Sequence, residues 1–252
     1  MEKLLIYSTA AMLLIITGII CCYKKNLTQE LKDRILKILA ISTVVIHYSS
    51  LYVSFFTTGS IEIDSTMILP IYPCNICMWL LLIVSFFKNK NQIFCKISIE
   101  FLAVAGTVCG LIGLFANENF LANPSFLDYS SLKGLLSHTT MIAGTLFLFT
   151  QGYMRLDTIS LTISTACGLL LFIVLGFILN MLYDIFKLDP VNIMFMREFP
   201  LDIPGFNFLT LGIAGLIVVF IFGHIYELIM YHKDERWYNN FSEKVKKIRI
   251  KR

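Results

Sequence analysis

Leu69-Pro70-Ile71-Tyr72-Pro73-Cys74-Asn75-Ile76-Cys77 opens a long apolar run with two prolines, two cysteines and an asparagine. Lipid-facing sequence is ordinarily Leu, Ile and Val. Polar and helix-breaking residues are costly at membrane depth and are kept where they line a cavity or a site. The stretch therefore predicts an apolar helix with a reactive edge at its start. His138 and His47 are the candidate partners of that edge.

Outward from this stretch the chain is apolar throughout. Of its 252 residues 57% are hydrophobic and only 15% charged, against about 25% charged in soluble domains. The mean hydropathy is +0.74. One span takes about 20 residues. Apolar runs near 4–22, 35–56, 68–87, 93–115, 132–153, 159–183 and 207–231 predict seven of them. The expected fold is all-α: a seven-helix transmembrane domain over residues 1–232 and a basic cytoplasmic tail over 233–252. The first run is read as a helix and not as a secretory signal. Glu2 stands beside Lys3, the run is long, and no small-residue cleavage site follows it.

Basic residues set the orientation. With the N-terminus outside and the C-terminus inside, only Lys3, Lys133, Lys187 and Arg197 of the 21 Lys and Arg fall outside. This suits the cytoplasmic membrane. The tail is expected to meet anionic lipid, not nucleic acid. The seven cysteines, an odd number, all lie in or beside apolar runs, which makes a poor disulfide framework. Cys74-x-x-Cys77 has redox or metal spacing. The outer loops hold no second cysteine pair, and zinc would need more ligands on that rim. No metal and no cofactor is expected.

Depth groups the polar residues. At 1.5 Å per residue, Cys74 and His138 each lie about 9 Å below the outer boundary, His47 about 13 Å and Asn180 about 5 Å. Four polar side chains on four helices share the outer half. Glu100 and His224 fall in the inner half, as a helix-packing pair, a proton path or unrelated groups. Ala103, Ala105, Gly106, Gly110 and Gly113 are small residues that allow close helix approach in lipid. A thiolate beside a histidine is a nucleophile for acyl carbonyls, with the imidazole as proton shuttle. Pro73 is expected to break helical hydrogen bonding upstream and to free backbone groups for an oxyanion.

Leu69-Pro70-x-x-x-Cys74-Asn75-Ile76 resembles the LPxxxCSI motif that opens helix 3 of the YwaF-like bacterial membrane proteins. Leu135-Leu136-Ser137-His138 is similar to that family's F/L-L-x-H on helix 5. Asn192-Ile193-Met194-Phe195-Met196, followed by Pro200, resembles its N-Y-M-F-L…P segment. The family is related to mammalian transmembrane protein 164, regarded as an acyltransferase for ether lysophospholipids. The resemblance implies Cys74 as acyl-carrying nucleophile and His138 as base, with Asn192 shaping the site. His47, Tyr72, Asn75 and Asn180 complete the expected substrate-binding set. Tyr72 stands where the family often has an acidic residue or histidine, Asn75 where it has serine, and Ile193 where it has tyrosine. The implied function is transfer of a fatty acyl group between phospholipids and lysophospholipids. A lipid hydrolase using the same residues, a lipid or small-molecule transporter or binding component, and a thiol-redox protein are the alternatives.

Overall fold

The computed structural model describes residues 2–22, 27–59, 69–115, 128–188, 192–197 and 207–239. Pro124, Pro190, Pro200, Pro204 and the tail beyond Asn239 lie outside these residues. In chain order the helices are α1 (Glu2–Cys22), α2 (Gln29–Thr58), α3 (Pro73–Phe86), α4 (Ile93–Phe115), α5 (Tyr129–Thr150), α6 (Thr158–Ile185) and α7 (Phe208–Met230). There is no strand among the described residues, and the all-α expectation holds. All but α3 are long and apolar enough to cross a membrane.

Capping explains most of the boundaries. Thr28 accepts from the Leu31 amide, which starts α2 ahead of its expected position. Gly59, at φ 73°, closes α2 in the left-handed conformation that favours glycine. Asp128 and Asp157 accept from Ser131 and Ser160 at the starts of α5 and α6. Asn207 and Thr210 form a reciprocal capping box on α7.

α3 departs from the expected 68–87 span. It has 14 residues and begins at Pro73. Proline lacks the N–H that a first helical turn does not use, so Pro73 starts the helix where the sequence was expected to break one. Leu69–Tyr72 enters it without helical structure.

The chain divides into two compact units, Met1–Met154 and Arg155–Arg252. In the first unit α5 is the central helix, packed against α1, α2, α3 and α4, and it is the most buried of the candidate spans. Ile6, Ala10, Leu114, Leu135 and Ile142 form a core where α1, α4 and α5 meet. α4 carries a π segment, Leu102–Gly106. One extra residue in a turn rotates the following face by about 100°. From its last residue onward, glycines line the contact with α5. A Cβ on Gly106 would meet Thr145, one on Gly110 would meet Ile142, and one on Gly113 would meet the His138 ring. The small residues of α4 do bring two helices close, as their spacing suggested.

The helix ends opposite the start of α3 are tied together. The Lys90 ammonium donates to the carbonyls of Val84, Ser85 and Phe87 at the end of α3. Burial lowers the Lys90 pKa, and the negative charge of Asp33 works against that shift. Lys32 donates to the Gln151 carbonyl at the end of α5. Cations at helix C-termini complement the dipole.

In the second unit α6 packs on α7. Gly223 sits 3.2 Å, measured from an added Cβ, from the Thr158 backbone. That contact lets the buried Glu227 reach the first turn of α6. Its carboxylate accepts from the Thr158 amide and hydroxyl, both at 2.6 Å, and from the Trp237 amide at 2.6 Å.

Candidate functional site

Three helices of the first unit bring the sequence-predicted residues to one cleft. α2 contributes His47 and Thr43, α3 contributes Cys74, Asn75 and Met78, and α5 contributes Ser137, His138 and Met141. Depth along each helix was a true guide for Cys74, His138 and His47. The cleft measures about 20 Å³, room for about one water molecule.

Cys74 is the second residue of α3. The amides of a first helical turn have no intrahelical acceptor, and they point out of the N-terminus with the positive end of the helix dipole. Tyr72, at the cap, supplies no side-chain bond to them. This arrangement favours negative charge on or beside the sulfur. The Cys74 thiol donates to the Asn75 Oδ1 at 3.3 Å. Asn75 is 5% exposed, so its amide is held inside the cleft.

His138 Nδ1 lies 2.8 Å from the Gly134 carbonyl. A carbonyl only accepts, so Nδ1 carries the proton and Nε2 keeps its lone pair. The ring rests in the notch that Gly113 leaves on α4. Any side chain at 113 would occupy the place of the imidazole. His47, on α2, makes no hydrogen bond among the described residues. Its ring meets Tyr48 edge-on, and Tyr48 in turn contacts Trp79 of α3. That contact braces the helices carrying His47 and Cys74.

Cys77 is buried and stands beside Cys109 of α4. All seven cysteines are free thiols. Among the described residues no group of three His, Cys, Asp or Glu side chains is arranged to hold a metal ion.

Asn180 and Asn192 belong to the second unit. The Asn180 amide donates to the carbonyls of Gly176 and Ile193 and accepts from Arg197 Nε at 2.8 Å. Asn192 Oδ1 accepts from the Arg197 amide at 3.0 Å, and Arg197 also pairs with Asp184 at 2.6 Å. Both asparagines thus hold the segment 192–197 against α6. Met194, at φ 55°, drops its side chain onto Gly176. The inner-half residues part as well. His224 accepts from the Trp237 indole at 2.9 Å and stacks on Phe220, so in the second unit it has structural partners. Glu100 lies in the first unit, buried, 3.9 Å from Lys96.

Thr43, Met78, Met141 and Gly113 were not singled out as site residues. The first three lie one helical turn from His47, Cys74 and His138, so helical spacing around each candidate would have found them.

A family model described as the TMEM164 family matches residues 1–231. The chain belongs to the TMEM164 family. No curated protein and no solved structure matches it. The family and the six long apolar helices make this a multi-pass membrane protein. Membership also bears out the relation to transmembrane protein 164 that the three motifs suggested.

Proposed function

We propose that this protein is a membrane-embedded acyltransferase that moves a fatty acyl group between phospholipids through Cys74 and His138. The observation that carries this reading is the shared cleft. A thiol at a helix N-terminus, an imidazole whose Nε2 makes no hydrogen bond among the described residues and a second histidine line one cavity from three helices.

The steps balance within these groups. His138 Nε2 takes the thiol proton, and the Cys74 sulfur attacks the ester carbonyl carbon. First-turn amides of α3 and the Asn75 amide group are the candidate donors to the oxyanion. The C–O bond breaks, the lysolipid oxygen takes the proton from His138, and the acyl chain stays on sulfur as a thioester. An acceptor hydroxyl then gives its proton to Nε2 and attacks the thioester, and the sulfur leaves as thiolate and recovers the proton. Met78 and Met141 are unbranched and adaptable, suited to yielding as an ester enters so small a cleft.

In this reading the chain crosses the cytoplasmic membrane seven times, N-terminus outside and C-terminus inside, and α3 is the third span. Its 14 residues cover about 21 Å, less than the roughly 30 Å of hydrocarbon. Cys74 then sits below the outer surface, near the depth of lipid esters. His47 lines the cleft, and Tyr72 caps α3 two residues before Cys74. Asn180 and Asn192, expected in the substrate-binding set, hold the Arg197 segment of the second unit. Room for one water also suits a hydrolase, with water as acceptor in the second half-reaction.

Intact-protein mass spectrometry from native membrane, with and without hydroxylamine, tests the reading. The expected result is a hydroxylamine-labile acyl mass on the wild-type protein that is absent from Cys74→Ser. Wild-type protein that gains no acyl mass and moves no labelled chain between lipids overturns it. Fatty acid release without an acceptor lipid identifies the hydrolase.

A further inference from the structure

The first unit holds a second cavity further along α5, lined from Ala143 to Gln151, about 8 to 20 Å along the helix from His138 at 1.5 Å per residue. It measures about 260 Å³ and lies between α1, α2 and α5. Leu39, Ala143 and Phe147 give it apolar walls, and Thr17, Cys21 and Gln151 face it with polar groups.

Two of those groups lack a partner. Gln151 is 8% exposed. Its Nε2 donates to the Cys21 carbonyl at 3.0 Å and its backbone carbonyl takes the Lys32 ammonium at 2.9 Å. Its Oε1 takes no hydrogen bond among the described residues. Thr17 is likewise 8% exposed. Thr9, Thr43, Thr139 and Thr165 fold their hydroxyl onto the carbonyl one turn back in their helices. The Thr17 hydroxyl does not, and it makes no hydrogen bond among the described residues. Neither atom is sealed in the protein as the unpaired Thr150 hydroxyl is, and both residues line the cavity. An acceptor and a hydroxyl left open on one cavity point to a missing polar group between them.

Water alone suits the space poorly. The volume equals about nine waters, each needing two to four polar partners, and the walls are mostly apolar. A hydrocarbon chain carrying one polar head suits both parts. The open Gln151 Oε1 needs a donor, so the head must bring an O–H. We propose that this cavity binds a single-chain amphiphile whose head group carries a hydroxyl. The hydroxyl donates to Gln151 Oε1, and the chain runs between α1 and α2 past Leu39. Lys32 beside the mouth leaves room for an anionic group on the same head. The site is separate from the Cys74 cleft and needs no chemistry there.

The test uses full-length Cys74→Ser protein in phosphatidylcholine nanodiscs, so that turnover at the cleft plays no part. The probe is a monoacylglycerol with a diazirine in its chain, photolysed and mapped by peptide mass spectrometry. Label is expected within residues 17–21, 35–39 and 143–151. It should fall about tenfold in Ala143→Phe, which fills the cavity, and severalfold in the isosteric Thr17→Val. Unlabelled monoacylglycerol should compete, and its dimethyl ether should not. Label elsewhere, label retained in a folded Ala143→Phe, or equal competition by the ether overturns the proposal. If Ala143→Phe does not fold, unchanged label in Thr17→Val overturns it alone. A monoacyl glycerol phosphate that competes better than the neutral lipid, and loses that advantage in Lys32→Gln, assigns the head to a phospholipid. Equal competition assigns it to a neutral lipid, and both results keep the hydroxyl requirement.

Discussion

Each unit of this protein holds a half-buried histidine among polar groups, and the two histidines are held in opposite ways. In the second unit His224 Nδ1 accepts from the Trp237 indole, and its neighbour Glu227 spends its carboxylate on three donors. Those atoms are occupied, and the group ties the start of α6 to the end of α7. In the first unit His138 uses one nitrogen to fix its ring, while the other lies at the Gly113 notch without a hydrogen bond among the described residues, in a cleft shared with a thiol. Residue type does not separate a structural histidine from a reactive one. The tally of used and unused hydrogen-bonding atoms does.

The sharpest way to break this contrast is to remove the cleft's two groups. Cys74→Ala is expected to abolish acyl exchange between labelled phospholipid and lysolipid in liposomes, by at least about a thousandfold. His138→Asn should cost about a hundredfold or more. Cys74→Ala should not lower the thermal midpoint appreciably, because the thiol bonds only its neighbour Asn75. Exchange that survives Cys74→Ala would leave both histidines structural and the contrast empty.

Gly113 sharpens it further. Gly113→Ala puts a methyl group where the His138 ring lies. The ring must leave its seat, and a displacement of about an ångström costs about tenfold to a hundredfold in rate. An alanine in a helix is otherwise favourable. The expected outcome is a rate loss with the fold intact by circular dichroism. A variant that is unstable but fully active per folded molecule would reassign Gly113 to packing.

The opposite result is expected at Glu227. Glu227→Ala strands the Thr158 and Trp237 donors inside the protein. Unpaired buried donors of this kind cost at least about 2 kcal/mol. The thermal midpoint in detergent should fall by roughly 4–8 °C, while acyl exchange per folded molecule stays within about twofold. A selective loss of exchange would show that the second unit's network is more than a tie.

Much of this arrangement was legible in the sequence, for reasons that differ by residue. Apolar length placed the ends of α4 to α7 to within three residues, because a long run of Leu, Ile and Phe has few other places to go. Pro73 was read as a breaker, because proline's two roles differ only by where the helix begins. Depth matched Cys74, His138 and His47, since rise per residue is fixed. Rotation is not encoded in depth. Whether those side chains met, whether Gly113 made a seat for one ring, and whether His224 paired with Trp237 rested on helix contacts that no local pattern specifies. Glu100 and His224 shared a depth and proved to belong to different units.

The smallest effect concerns the cap that sets α5, and so His138, in place. Asp128 accepts from the Ser131 amide and hydroxyl, both at 2.9 Å. The Ser131 amide holds its carboxyl below the ordinary carboxylate value, against a smaller opposing effect of burial. A carboxyl lowered on folding contributes stability that is complete above its unfolded pKa of about 3.9. That contribution fades as pH falls through the lower folded value. Thermal midpoints measured from pH 6 down to pH 3 should therefore decline more steeply in the wild type than in Asp128→Asn. The asparagine keeps an acceptor for the Ser131 amide and does not titrate. At pH 7 the two should exchange acyl chains at similar rates, since the cap orients α5 and never touches the cleft. A rate loss in Asp128→Asn at pH 7 would mean that charge at the start of α5 reaches His138. The first unit's histidine would then be tuned from outside its own hydrogen bonds, and the atom-by-atom contrast with His224 would need that field added to it.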